Sequence, residues 1–88
     1  MFNLSPTARF ILTLLNNIND LIVQSSDREN ALDVMKALRV YGKNKNFLLP
    51  QDKIDNFQAV LLDARPFTLT SIIKDIADDV VVLDQRKK

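Results

Sequence analysis

The 88-residue chain contains neither cysteine nor histidine. The lack of cysteine excludes disulfides, thiolate metal ligands and thiol nucleophiles, and it fits a reducing compartment. The lack of histidine removes the commonest general base of enzymes. We therefore expect an intracellular, cytoplasmic protein that is not an enzyme.

Glycine is almost absent as well, with one residue in the whole chain. A single glycine cannot build a phosphate-binding loop, and neither the GxGxxG nor the GxxxxGK pattern occurs. The remaining candidates for chemistry are three carboxylates at helical steps of three and four, Asp75, Asp78 and Asp79. One helix face offers too few oxygen ligands for a hard cation, so we interpret them as a solvated acidic face. The sequence thus predicts no catalytic residue, no cofactor and no metal site.

Neither sign of charge is in excess, since twelve Lys and Arg stand against eleven Asp and Glu, a net charge of +1. This balance gives no general attraction to nucleic acid or to an anionic membrane, so contact with either needs a local patch. The first apolar stretch is interrupted by Asn16, Asn17, Asn19 and Asp20, and no basic segment precedes it. We expect neither a signal peptide nor membrane insertion, which needs about 20 mostly apolar residues.

Apolar residues make up 47% of the chain and recur at helical spacing. The first helix is predicted over residues 6–24, with Ser5 as N-cap and Pro6 in the first turn. Its main apolar stripe consists of Phe10, Ile11, Leu14, Leu15, Ile18, Leu21 and Ile22. This helix is therefore the central packing element of the predicted fold.

The apolar arc of this helix is wider than one core-facing stripe requires. Leu12 and Val23, on either side of Asn19, form a second ridge that we expect to contact a partner. Other apolar residues that point away from the main stripes of their helices are Leu32, Val40, Leu62 and Val82. Scattered exposed apolar residues are normal, so a partner surface and ordinary exposure remain alternatives.

The second helix is predicted over residues 27–41. Ser26 and Glu29 have the spacing of a capping box, which predicts that the helix begins there. Gly42, the only glycine, stands where a left-handed residue commonly ends a helix.

The third and fourth helices are predicted over residues 51–64 and 69–85. Arg65 precedes Pro66, and a residue before proline is disfavoured in helical geometry, so a break is expected between them. The β-branched run Val80–Leu83 has strand propensity, but no second strand candidate exists to pair with it. We therefore predict that it is helical.

Four amphipathic helices with short loops predict a single all-α domain over residues 1–88, a small four-helix bundle of up-down or orthogonal form. A core of this size gives a thin margin of stability. Burial against a second copy or another protein would add to it.

A basic stripe follows the second helix and the next loop. It consists of Arg28, Lys36, Arg39, Lys43 and Lys45. Such a stripe can bind phosphates, or it can dock on an acidic protein surface. Glu29 and Asp33 lie close by, so a solvated face of mixed charge is the simpler interpretation.

These features favour a small protein-binding module, a regulator or adaptor, that binds another protein or a second copy of itself. Compact helical regulators, including phage- and virus-encoded inhibitors of other proteins, share this small size and surplus of apolar surface, although no motif supports the analogy. A nucleic-acid-binding protein that uses the basic stripe is one alternative. A structural subunit of a larger assembly is another.

Overall fold

The computed structural model describes residues 3–86 and has four helices, α1 (Pro6–Val23), α2 (Arg28–Asn44), α3 (Gln51–Val60) and α4 (Pro66–Arg86). No strand occurs within residues 3–86, and the prediction of a small all-α four-helix bundle is confirmed. The first two and last two residues of the predicted domain lie outside the described residues.

The helices form an up-down bundle in which α1 packs on α2 and α4, and α3 packs on the same two helices. Hydrogen bonds mark the antiparallel order. Ser5, before α1, bonds to Asp84 near the end of α4, and Asn19 near the end of α1 bonds to Thr70 near the start of α4. We call the end of the bundle with Ser5 and Asp84 the upper end, and the opposite end, with the α3–α4 connection, the lower end.

The core consists of one side-chain stripe from each helix and two residues of the α2–α3 loop. Its fully buried members include Ile11, Leu15, Ile18, Met35, Leu38, Ile54, Phe57, Leu61, Leu69, Ile76 and Val80. Phe10, predicted in the stripe of α1, is instead 45% exposed and packs on the ring of Tyr41, with 4.6 Å between centroids. Phe10 lies at the margin of the apolar stripe, where the Tyr41 ring covers part of its side chain.

Helix α2 begins and ends later than predicted. Asp27, not Ser26, is the N-cap, and its carboxylate accepts a hydrogen bond from the Asn30 N–H. Ser26 has a positive φ of 50°, which turns the chain sharply between α1 and α2. The prediction that Gly42 ends α2 is wrong, because Gly42 is helical and buried and α2 continues to Asn44.

The connection between α3 and α4 also differs from the prediction. Helix α3 ends at Val60, four residues early, and α4 begins at Pro66, three residues early. The N–H of Leu69 donates to the carbonyl of Arg65, so Pro66 occupies the first helical position, where its missing N–H is not needed. The run Val80–Leu83 is helical, as predicted.

Candidate functional site

The predicted partner ridge does not form one continuous exposed surface. Leu12 and Asn19 are half-buried and line a shallow cleft of about 270 Å³ between α1 and α4. The side-chain oxygen of Asn19 accepts a hydrogen bond of 3.0 Å from the hydroxyl of Thr70. Val23 is 55% exposed and does not line this cleft.

Two arginines of the predicted basic stripe make contacts inside the molecule. The guanidinium of Arg28 donates to the carbonyls of Leu61 and Ala64, just beyond the last turn of α3. Arg39 forms an ion pair of 2.6 Å with Asp55 and donates further hydrogen bonds to Gln51 and Gln58. These two side chains therefore connect α2 with α3.

The three lysines of the stripe are exposed. The ammonium of Lys45 lies 5.9 Å from the centroid of the Tyr41 ring, within the range of a cation–π contact. Within residues 3–86, Lys36 and Lys43 form no ion pair. The five residues of the stripe thus divide into two that connect helices and three whose charge faces solvent.

The acidic face of α4 contacts α3 through one ion pair. Asp79 accepts from the ammonium of Lys53 at 2.8 Å. This hydrogen bond, together with the negative charges of Asp79, Asp75 and Asp78, raises the pKa of Lys53 above its ordinary value. Among the described residues no group of three carboxylates is placed to hold a metal ion.

Exposed apolar side chains gather at both ends of the bundle. Besides Phe10, the large apolar side chains that are exposed are Val23, Val40, Leu48, Leu62, Phe67 and Val82. Val40, Leu48 and Val82 belong to the upper end, where the loop between α2 and α3 lies beside the end of α4. The other three belong to segments at the lower end.

Leu48 is held outward by its neighbours in the α2–α3 loop. Phe47 and Leu49 are 6% and 4% exposed, whereas Leu48 between them is 68% exposed. This alternation is that of an extended segment, whose successive side chains point to opposite sides. The Phe47 N–H donates to the Gly42 carbonyl at 2.8 Å, which fixes the loop on the end of α2. Leu48 therefore cannot turn into the core without displacing two buried side chains.

A cleft lies on each side of Leu48. The first, of about 340 Å³, is bounded by Val40 and Lys43 of α2. The second, of about 420 Å³, is bounded by Val82 and Arg86 of α4. We call the surface formed by Val40, Lys43, Leu48, Val82 and Arg86 the Leu48 surface.

The charged side chains that line the Leu48 surface without an ion pair within residues 3–86 are positive. Arg39 and Asp79 also line its clefts, but their charges are offset by Asp55 and Lys53 respectively. Within residues 3–86 neither Lys43 nor Arg86 has an ion-pair partner. The surface thus combines three exposed aliphatic side chains with two cations that have no ion pair in the described part of the chain.

Leu48 and Phe67 were not identified as surface residues from the sequence. Three apolar residues in an extended segment before a proline, Phe47, Leu48 and Leu49, indicate that the middle side chain is exposed. This holds only if the two outer side chains are known to be buried. Phe67 lay outside the predicted fourth helix. Val40 and Val82 were identified correctly, because each lies off the apolar stripe of its helix.

None of the helices within residues 3–86 is both long enough and apolar enough to cross a membrane. No protein-family model, no curated protein and no solved structure matches the chain. Its function is therefore inferred from the geometry of its surfaces.

Proposed function

We propose that this protein is a small, non-enzymatic protein-binding module, a regulator or adaptor, that binds another protein through the Leu48 surface. The supporting observation is the convergence of Val40, Leu48 and Val82, which are 59%, 68% and 48% exposed, around two clefts. Apolar side chains that cluster on a rigid support, with charged residues at the margin, are typical of protein interfaces.

The strength of such binding can be bounded. Burial of a fully exposed aliphatic side chain contributes about 1.5–3 kcal/mol. Because Val40, Leu48 and Val82 are 59%, 68% and 48% exposed, covering what remains of all three contributes roughly 3–5 kcal/mol. Association opposes this with at least about 4 kcal/mol of lost freedom. The three side chains alone therefore support weak, reversible binding, and a tight complex also requires that the partner fill the two clefts.

We expect Leu48→Ser to weaken partner binding strongly while leaving the protein folded. The side chain is exposed, so the free energy of unfolding should change by less than about 0.5 kcal/mol. Loss of an anchor at the centre of an interface should weaken binding by about tenfold or more. Urea unfolding measures the first effect. Quantitative capture from extracts of the source organism, with the wild type and the variant as baits, measures the second.

Leu62→Ser is the matched control, because Leu62 is 66% exposed but lies at the opposite end of the bundle. A partner specific to the Leu48 surface is captured by the wild type and by Leu62→Ser and is lost with Leu48→Ser. If both variants capture the same proteins as the wild type, the proposed function is wrong.

Nucleic-acid binding is the weaker alternative. The contacts of Arg28 and Arg39 with α3 leave only the lysines of the basic stripe free to meet phosphates. Charge reversal at Arg39 would disrupt the contacts between α2 and α3 as well as any phosphate contact. Lys36→Glu is the cleaner test. If the wild type retards DNA or RNA in a gel at low salt and Lys36→Glu does not, the result favours nucleic-acid binding.

Self-association, which a structural subunit would require, is tested by measuring the molar mass of the protein in solution. Light scattering at tens of micromolar separates a monomer from a dimer. A dimer that Leu12→Ser dissociates would assign self-association to the cleft between α1 and α4, which Leu12 and Asn19 line.

A further inference from the structure

We infer that the occupant of the Leu48 surface is an acidic amphipathic helix of another protein. This inference rests on the proposed function and adds the chemistry of the partner. It follows from the charge of the surface, the shape of its two clefts and the type of side chain between them.

The charge of the surface favours a negative partner. Lys43 and Arg86 stand on opposite sides of Leu48, one at each cleft, and neither has an ion-pair partner within residues 3–86. Carboxylates on both flanks of a bound segment would meet these two cations. Such complementarity increases the association rate and excludes basic segments.

A second copy of the chain fits this surface poorly. A twofold symmetric dimer brings the same patch of both molecules together. Pairing through the Leu48 surface would therefore bring four cations, Lys43 and Arg86 from each copy, into one interface. Among residues 3–86, Asp79 is the one carboxylate that lines these two clefts, and it already pairs with Lys53.

Nucleic acid and lipid are anionic too, but the side chains and the shape of the surface fit them less well. Bases of a single strand stack on exposed aromatic rings, whereas here Phe47 is buried and the exposed side chains are aliphatic. A flat bilayer would leave the two clefts beside Leu48 unfilled. A peptide with protruding side chains can fill both.

The two clefts call for a ligand with two apolar anchors. Leu48 stands between them as a ridge, so a ligand must place one apolar side chain on each side of it. On a helix, residues three or four positions apart point the same way and lie about 5–6 Å apart. An amphipathic helix therefore straddles Leu48 with two such anchors and carries carboxylates on its flanks.

Synthetic helical peptides test the inference directly. The acidic peptide carries leucines at positions i, i+3, i+4 and i+7 and glutamates at most other positions. A second peptide replaces every glutamate with lysine, and a third keeps the glutamates but replaces the leucines with serines. Each is titrated into the isotope-labelled full chain, and amide chemical shifts give both the affinity and the binding site.

We expect only the acidic leucine peptide to bind, with the largest shifts at Val40, Lys43, Leu48, Val82 and Arg86. Its affinity should fall as salt is raised. The double variant Lys43→Glu/Arg86→Glu should weaken the acidic peptide by about tenfold or more and allow the lysine peptide to bind. The control Arg65→Glu/Lys74→Glu makes the same change in net charge away from the surface and should leave the affinity within about twofold.

Glutamate is mildly unfavourable in the last turn of a helix, where Lys43 and Arg86 lie. Lys43→Gln/Arg86→Gln therefore serves as a second variant, which removes the charges without reversing them and should also weaken the acidic peptide.

Three results would overturn the inference: equal binding of the lysine peptide, shifts that map away from the Leu48 surface, or no binding of the acidic leucine peptide. If the wild type binds vesicles containing phosphatidylserine and Leu48→Ser does not, the surface is assigned to a membrane instead. A dimer that Leu48→Ser dissociates would assign it to a second copy. If Leu48→Ser prevents capture of a partner while Lys43→Gln/Arg86→Gln does not, the charge inference fails and the proposed function stands.

Discussion

At the scale of single residues, Gly42 shows how a local sequence signal can have a tertiary cause. It lies inside α2 with helical geometry, and the side chain of Leu49 occupies the space that a β carbon would need. A β carbon at this position would lie 2.6 Å from Leu49 Cδ1 and 3.0 Å from Leu49 Cγ. Glycine is thus present because the loop approaches the helix closely, not because the helix ends there.

We expect Gly42→Ala to lower the free energy of unfolding by about 1 kcal/mol. Alanine gains about 1 kcal/mol in helix propensity, but overpacking against a buried leucine costs about 1–3 kcal/mol. In the background of Leu49→Ala, which removes the obstructing methyl groups, the same substitution should instead stabilise the protein by up to about 1 kcal/mol. Urea unfolding of the four proteins in this cycle measures both effects. An effect of the same sign in both backgrounds would contradict the proposed close contact.

At the scale of elements, α3 depends on its neighbours. It has ten residues and no side-chain hydrogen bond at its N-cap, so it is too short to be stable alone. Arg28 provides a cap from another helix, because its guanidinium donates to the carbonyls of Leu61 and Ala64. Arg39 holds the same helix through Asp55. Basic residues that the sequence places in one stripe therefore fasten α3 to α2.

Arg28→Met should lower the free energy of unfolding by about 1.5–3 kcal/mol, the usual range for hydrogen bonds made by a charged group. The loss should be local, so amide hydrogen exchange should accelerate most at the end of α3 and in the following turn. Lys36→Met is the matched control, since Lys36 is exposed on the same helix and forms no ion pair within residues 3–86. Equal exchange rates in the two variants would show that Arg28 does not cap α3.

At the scale of the whole molecule, a buried hydrogen-bonded pair closes the bundle. Asp84, only 3% exposed, accepts from both the backbone N–H and the hydroxyl of Ser5, 79 positions away. The same hydroxyl accepts from the Ala8 N–H and caps α1. One side chain thus joins the start of the first helix to the end of the last, at the upper end of the bundle.

Ser5→Ala should lower the free energy of unfolding by about 1–3 kcal/mol, since it removes an N-cap and one donor to a buried carboxylate. Ser71→Ala, at an exposed position of α4, should change it by less than about 0.5 kcal/mol. Urea unfolding compares the two. Hydrogen exchange should also show faster opening at the start of α1 and at the end of α4. A loss confined to α1 would mean that Ser5 acts only as a cap.

Much of the fold followed from local pattern. The sequence correctly predicted the number of helices, Ser5 as the N-cap of α1 with Pro6 in its first turn, and the helicity of Val80–Leu83. These features depend on short-range spacing and capping, which are local properties. Boundaries were less accurate where two signals competed. Asp27 replaced its neighbour Ser26 as the cap of α2, and Pro66 began a helix instead of separating two.

The candidate surface was only partly predictable, for a physical reason. A residue's position on a helix face determines whether its side chain can avoid the core, and so Val40 and Val82 were identified from the sequence. The exposure of Leu48 depends on the burial of Phe47 and Leu49 in the core. A loop has no helix face from which that burial could be read.

The amino-acid sequence by itself determined which residues form helices and which side of each helix is apolar, since both depend on neighbours within about one turn. Only the tertiary structure decided which charges are free. Arg39 meets acceptors on α3 and Arg28 meets carbonyls just after it, whereas the side chains of Lys43 and Arg86 form no ion pair within residues 3–86. Packing the four helices together brings groups that are far apart in the chain within hydrogen-bonding distance. The spacing of residues along a single helix does not determine which of these groups will meet.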